Sequence, residues 1–99
     1  MNIQKVANGN ELEIILDGRL DTNTAVALEQ EIVDMQGVKA LTLNLKDLQY
    51  VSSAGLRVIL MAHKKMRAAA GTMEVKHPNE MVMEVFEMTG FNDILKITK

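Results

Sequence analysis

Residues 47–56 of the chain read Asp47-Leu48-Gln49-Tyr50-Val51-Ser52-Ser53-Ala54-Gly55-Leu56. This stretch runs from a segment of alternating apolar residues into a segment of helical periodicity, so its two adjacent serines lie where a helix begins. Serine is a preferred N-cap residue, because its oxygen accepts a hydrogen bond from a backbone N–H that lacks a helical partner. Gly55, one turn inside, is expected to leave the backbone accessible. On the residues alone, capping is the leading interpretation of the serines, and a functional role of their hydroxyl groups is the alternative.

The segments before this stretch predict a hairpin and then a helix. Ile3–Val6 and Glu11–Asp17 are predicted strands, joined by a turn over residues 7–10 whose Asn-Gly pair tolerates a positive φ. Helical periodicity follows and ends at Gly37. The apolar stripe of this first helix consists of Ala25, Leu28, Ile32 and Met35.

A third strand is predicted directly before the serines. Three leucines alternate there with more polar residues, namely Leu41, Leu43 and Leu45. Alternation is typical of a strand with one face buried more deeply, whereas helices on both faces of a parallel sheet favour a continuous apolar run. We therefore expect the helices mainly on one face of the sheet, with the leucines toward them. Residues 46–52 are predicted to be a connection.

Two more helices and two more strands are predicted after the serines. A second helix covers residues 54–70, starting from about Ser53 and stopped by Gly71, with a core stripe of Leu56, Ile59, Leu60, His63 and Met66. Thr72–Lys76 is a strand, residues 79–89 form a short helix capped by Gly90, and residues 94–97 form a last strand. The predicted order is β-β-α-β-α-β-α-β in a mixed, mostly parallel sheet of the α/β class.

Length and composition narrow the classes of function. A chain of 99 residues suits one domain over residues 1–99, which we expect to be a monomer. A net charge of −2 with three aromatic residues argues against nucleic-acid binding. The sequence has neither an apolar run long enough for a membrane span nor the apolar core of a secretory signal, so we expect a cytoplasmic protein without membrane association. Without cysteine, thiol chemistry is excluded.

Motifs of enzymes and metal sites are absent from the sequence. There is no phosphate-binding Gly-rich loop, no nucleophile elbow and no metal-binding helix, so we expect no catalytic activity, no cofactor and no metal. His63 and His77 are scattered, and each is more typical of a structural histidine than of a ligand. Among eight methionines, three surround the short helix too thoroughly for all to be buried, namely Met81, Met83 and Met88. Core filling is the leading interpretation of the methionines, and a partner surface is the alternative.

Residues 47–56, together with Asp21 ahead of the first helix, resemble the STAS domain of bacterial anti-sigma factor antagonists. The hallmark of that family is Asp-Leu-x-x-(apolar)-(Asp or Ser)-Ser-(Ala, Ser or Thr)-Gly-Leu at a strand-to-helix junction. The resemblance covers essentially the whole chain, including the turn over residues 88–91, and it implies the STAS fold. The helix that many relatives carry at the C-terminus is expected to be missing or very short here.

The resemblance implies a switch in transcription regulation and not an enzyme. In the family, the serine two residues before the glycine is phosphorylated by the anti-sigma factor, itself a serine kinase, and here that residue is Ser53. The unphosphorylated antagonist binds the anti-sigma factor and releases the sigma factor, and a metal-dependent serine phosphatase restores the active form. By the same resemblance, partner and kinase recognition would involve Asp21, Ser52, Ser53, Ala54 and Gly55.

Two features of the motif leave alternatives open. Several members carry Asp where this chain has Ser52, which makes Ser52 a second candidate phosphoacceptor. Asp21 would shape kinase recognition or local charge, but a carboxylate near a helix N-terminus is also favoured by the helix dipole alone. STAS domains also act as accessory subunits of lipid or anion transport systems, which is the alternative function. A phosphocarrier role is disfavoured because neither histidine lies at a predicted helix N-terminus.

Overall fold

The computed structural model describes residues 1–99 and contains five strands, three α-helices and one 3₁₀ turn. In chain order they are β1 (Asn2–Asn8), β2 (Glu11–Leu20), α1 (Thr22–Asp34), β3 (Ala40–Val51), α2 (Ser53–Ala68), β4 (Thr72–Lys76), α3 (Glu80–Thr89), the 3₁₀ turn (Phe91–Asp93) and β5 (Lys96–Thr98). This is the predicted order of strands and helices, and the predicted α/β class is confirmed.

The five strands form one sheet in the order in which they occur along the chain. β1 pairs antiparallel with β2, and the pairs from β2 to β5 are all parallel. Each of the three helical crossovers therefore advances by one strand in the same direction. Because such crossovers are right-handed, the three helices lie on the same face of the sheet.

The core lies between the sheet and the helices. Leu41 is 1% exposed and Leu43 and Leu45 are 0% exposed, which confirms that the leucine side of β3 faces the helices. They belong to a cluster of 22 buried apolar residues to which every helix contributes. The opposite face of the sheet is mostly polar. On that face the Asn44 side-chain amide donates to Glu13 Oε2 over 3.1 Å, and Asn44 Oδ1 accepts from the Lys46 N–H over 3.1 Å.

Residues 46–51 belong to β3, so the prediction of a connection there is wrong. The pairing with β2 shifts register twice, and at each shift β3 advances one residue further than β2. These β-bulges interrupt the two-residue period, so the helix-facing residues after Leu45 are Leu48 and Val51. Alternation was the signal for the strand, and each bulge removes it.

The remaining differences concern the ends and faces of elements. β1 continues to Asn8, and a two-residue loop with Gly9 at φ +62° joins it to β2, which extends three residues further than predicted. The buried face of α2 also differs. Leu60 and His63, predicted in its core stripe, are half-buried, and Val58 and Ala62 are buried in their place. The last strand begins two residues later than predicted.

The end of α2 contains a residue in the left-handed region. The helix ends at Ala68, and Ala70 has φ +57°. The Gly71 N–H donates to the Met66 carbonyl over 2.8 Å, so Ala70 holds the position that glycine usually takes in this C-cap. Gly71, predicted to stop the helix, instead provides room, because a Cβ there would lie 2.6 Å from the Lys39 carbonyl oxygen.

We predict that Ala70→Gly stabilises the protein by about 1 kcal/mol, because it removes the steric cost of a left-handed L-residue. The measurement is urea unfolding followed by circular dichroism. The matched control is Ala68→Gly at the last residue of the helix, where φ is negative and glycine should cost about 0.5–1 kcal/mol. If both substitutions destabilise the protein equally, this assignment of backbone strain is wrong.

Candidate functional site

The two serines lie where two helix N-termini meet at one edge of the sheet. β2 ends at Leu20 and β3 at Val51, which are register partners. α1 begins at Thr22, two residues after Leu20, and α2 begins at Ser53, two residues after Val51. The Ser52 N–H donates to the Leu20 carbonyl over 2.8 Å and so ties the two junctions together. The unpaired N–H groups of two helix termini, each with the positive end of a helix dipole, are thereby placed side by side.

The two serines have different structural roles. Ser52 is the N-cap of α2, and its Oγ accepts a hydrogen bond from the Gly55 N–H over 3.1 Å. Ser53 is the first residue of the helix and is exposed, and its hydroxyl group has no hydrogen-bond partner in the protein. Capping therefore accounts for Ser52 and leaves Ser53 without a structural role.

Asp21 is the N-cap of α1. Its Oδ1 accepts from the Asn23 N–H and the Thr24 N–H, each over 3.0 Å, while the Asp21 N–H donates to Thr24 Oγ1 over 2.8 Å. The hydrogen bond from the Thr24 N–H lowers the pKa of the Asp21 carboxyl group below its ordinary value, and desolvation opposes this only in part. Asp21 is therefore ionised at neutral pH, and its cap is fully formed there.

Gly55 is buried, so the expectation of an accessible backbone at this position is wrong. A Cβ on Gly55 would lie 2.7 Å from Leu20 Cγ and 3.0 Å from the Leu20 carbonyl oxygen. Glycine is needed here because the first turn of α2 packs directly on the end of β2. Ala54 is half-buried and packs against the core beside it.

Two residues that the sequence reasoning missed lie next to this edge. The Arg19 guanidinium carbon stands 4.3 Å from the centre of the Tyr50 ring, and the two residues are register partners on β2 and β3. Their contact is a cation–π interaction that holds a positive charge close to Asp21. The two residues are paired only because two β-bulges shift the register of β3 against β2. The sequence gives no sign of these bulges, so it could not predict the pair. Thr24 was also missed, although Asp-x-x-Thr is a readable capping pattern.

The histidines are not part of this edge. His63 is half-buried within α2, and His77 is exposed after β4 with φ +60°. No group of three His, Cys, Asp or Glu side chains is arranged to hold a metal ion. None of the helices combines the length and the apolar character that a membrane span requires.

Comparison with known proteins identifies the family. A family profile described as STAS domain matches residues 2–99. The chain belongs to the STAS domain family. The anti-sigma-B factor antagonist of Bacillus subtilis is 28% identical over 100 residues, with 99% of this chain and 91% of that protein covered. The anti-sigma F factor antagonist of Paenibacillus polymyxa is 32% identical over 89 residues, with 87% of this chain and 76% of that protein covered.

A solved structure supports the same assignment of fold. The Bacillus cell fate determinant SpoIIAA in its phosphorylated form superposes with a TM-score of 0.79 at 20% identity, with 99% of this chain and 92% of that chain covered. At this identity the likeness concerns the fold alone. The STAS fold of this chain and its membership of a family of regulatory binding domains, rather than enzymes, agree with the sequence-based prediction.

For this STAS domain, the Asp21 cap predicts a defined dependence on pH. Because the pKa of Asp21 is lower in the folded protein than its ordinary 3.8, its contribution to stability is present above about pH 4 and is lost as the pH falls through the folded pKa. Asp21→Asn keeps the capping oxygen without the charge. We expect the wild-type protein to be more stable than Asp21→Asn at pH 6, and the difference to shrink steadily toward pH 2.5.

The comparison of the two proteins at each pH removes the contribution of other carboxyl groups, including Glu74, whose pKa is also lowered, chiefly by a hydrogen bond from Thr98. Urea unfolding at a series of pH values gives the two stability curves. A difference that stays constant over the whole range would mean that the Asp21 charge does not stabilise the fold.

Proposed function

We propose that this protein is an anti-sigma factor antagonist whose binding is controlled by phosphorylation of Ser53. The unphosphorylated form binds an anti-sigma factor and so releases a sigma factor, and the phosphorylated form does not. The names of the relatives in Bacillus subtilis and Paenibacillus polymyxa support the antagonist role. We further propose that residues 1–99 act as one STAS domain and as a monomer, in the cytoplasm, where sigma factors meet RNA polymerase.

The single observation that carries the proposal is the difference between Ser52 and Ser53. A kinase needs a hydroxyl group that is exposed and not committed to the fold, and Ser53 meets both conditions. Ser52 is half-buried, and its oxygen is held by the Gly55 N–H. We therefore infer that Ser53 is the principal phosphoacceptor and that Ser52 is at most a slow second one.

The surroundings of Ser53 support recognition by a partner at this edge. The Asp21 carboxylate and the Arg19 guanidinium group give the edge one fixed negative and one fixed positive charge, and both are held by local contacts. Ala54 places only a small side chain beside Ser53, and Gly55, buried against Leu20, lets the first turn of α2 pack closely on β2. A flat, small-residue turn lets a partner surface approach the Ser53 hydroxyl closely. In the proposed cycle, the anti-sigma factor is the serine kinase, and a metal-dependent serine phosphatase reverses its reaction.

A phosphate on Ser53 would act through local charge and size. At a helix N-terminus it meets unpaired N–H groups and the positive end of the dipole, so the fold tolerates it. At a docked interface the same group must lose its hydration and face a surface shaped for a neutral hydroxyl group. A hundredfold loss of affinity requires only about 2.7 kcal/mol, which such a desolvation penalty readily supplies.

The site of modification is tested by incubating the protein with its cognate anti-sigma factor kinase and ATP. Mass spectrometry should show one phosphate, which Ser53→Ala abolishes and Ser52→Ala only slows. Ser52→Ala is the matched control, because it removes the neighbouring hydroxyl group and a cap worth about 1 kcal/mol. Full phosphorylation of the Ser53→Ala protein would refute the proposal.

The mechanism of switching is tested by comparing the phosphorylated and unphosphorylated proteins. We expect almost the same melting temperature for both forms, and an affinity for the anti-sigma factor that falls about a hundredfold on phosphorylation. Differential scanning calorimetry and isothermal titration calorimetry give the two quantities. A large fall in melting temperature would show that phosphate acts by unfolding the site, and an unchanged affinity would show that Ser53 is not the switch.

A further inference from the structure

The solvent-facing side of α3 combines exposed apolar and acidic side chains that neither the fold nor the Ser53 edge uses. Met88 is 79% exposed and Met81 is 57% exposed, and seven residues apart on a helix they lie on one stripe. The expectation that not all three methionines of this helix are buried is confirmed, with Met83 half-buried. Val82 and Phe86 anchor the opposite side of α3 in the core, so the exposed side is not needed for packing.

An acidic stripe runs beside the two methionines. Glu80, Glu84 and Glu87 follow one another at helical spacings of four and three residues, and all three are exposed. The ion pair of the protein joins Lys5 to Glu31, so none of the three is neutralised by a salt bridge. Like charges at these spacings destabilise a helix, and Glu87 lies in the last turn, where the dipole disfavours a negative charge. A cation supplied from outside would relieve both effects.

A groove lies along the acidic stripe. It has a volume of about 470 Å³, the largest among the surface grooves of the protein, and its lining consists of the three glutamates with Pro78, Met83 and Lys99. α3 packs on β3 and the 3₁₀ turn. Asn79, its N-cap, also donates from its Nδ2 to the Leu48 carbonyl over 3.2 Å, which fixes the helix on the part of β3 that extends beyond β4. The exposed side is thus held on a rigid support.

We propose that this side of α3, the methionine stripe with the acidic groove, is a second protein-binding surface, whose partner is a basic amphipathic helix. Flexible thioethers adapt to apolar side chains of varied shape, and an amphipathic helix docks by presenting apolar residues at spacings of three and four. Lysine or arginine residues flanking that apolar stripe pair with the glutamates. The partner is recognised by charge and apolar spacing together, and an acidic or a non-helical segment is rejected.

This inference goes beyond the proposed function, because it uses no residue of the Ser53 edge. The protein can then hold one partner at the N-termini of α1 and α2 and another on α3. Since phosphorylation at Ser53 leaves α3 untouched, binding on α3 is expected to persist in both forms. The outcome of a test on α3 is therefore distinguishable from the outcome of the phosphorylation experiments.

The test uses the full chain labelled with ¹⁵N and a synthetic peptide of about four helical turns, with leucines at spacings of three and four and lysines elsewhere. Chemical shift changes should saturate and should map to residues of α3. A peptide of the same composition with scrambled order, and a peptide with glutamate in place of lysine, should not saturate. Absence of saturable binding by the first peptide, equal binding of the scrambled peptide, or shift changes centred elsewhere would each overturn the proposal.

Variants locate the binding on α3. Met81→Ser combined with Met88→Ser should weaken binding about tenfold, and Glu84→Gln combined with Glu87→Gln about threefold. The second effect should disappear at high salt. The control for the methionines is Val26→Ser with Val33→Ser, which removes exposed apolar side chains from α1 and should leave binding unchanged. Ser53→Ala should also bind normally. Equal loss in the α1 variant, or no loss in the α3 variants, would show that the peptide binds by general attraction to the protein.

Discussion

The close approach of the first turn of α2 to the end of β2 is the contact on which the rest of the site depends. It consists of the hydrogen bond from the Ser52 N–H to the Leu20 carbonyl and of the van der Waals contact between Gly55 and the Leu20 side chain. Both need the absence of a Cβ at position 55. A larger residue would force α2 away from the sheet, since overpacking of this kind commonly costs about 1–3 kcal/mol. Ser52 and Ala54, the neighbours of Ser53 in the chain, are held by the cap and by packing against the core. The side chain of Ser53 between them stays exposed.

Much of the fold could be predicted from the sequence, because the apolar residues of most elements follow one hydrophobic periodicity from end to end. The leucines of β3, the stripe of α1 and the glycine that ends α3 indicated elements of the correct type in the correct order. The strand conformation of residues 46–51 could not be predicted, because a β-bulge is defined by the pairing with the partner strand. In the sequence of its own strand a bulge only interrupts the two-residue alternation of apolar side chains. The same limit applies to the buried face of α2, because which side of a helix meets the sheet depends on where its first turn is anchored.

The location of the site could also be predicted from the sequence, but its detailed geometry could not. The serine pair marked a helix start, and the resemblance to STAS domains singled out Ser53. The assignment of the cap to Ser52 required the backbone geometry, because two adjacent serines are equivalent as sequence signals. The Arg19–Tyr50 pair depends on a register that two bulges create, so it could not be derived from either strand alone. The functional inference thus rests on local geometry that periodicity does not encode.

The strand order of the sheet bears on how the molecule is assembled. Each strand pairs only with its neighbours along the chain, so no strand has to be inserted between two others that have already formed. The hairpin closes over a loop of only two residues, whereas each parallel pair closes over a longer helical crossover, so the hairpin has the smallest entropic cost of loop closure. The residues that position Ser53 all lie within the first 55, while α3 comes later in the chain and packs on β3. The chain therefore places the residues around Ser53 in its N-terminal part and the α3 surface in its C-terminal part.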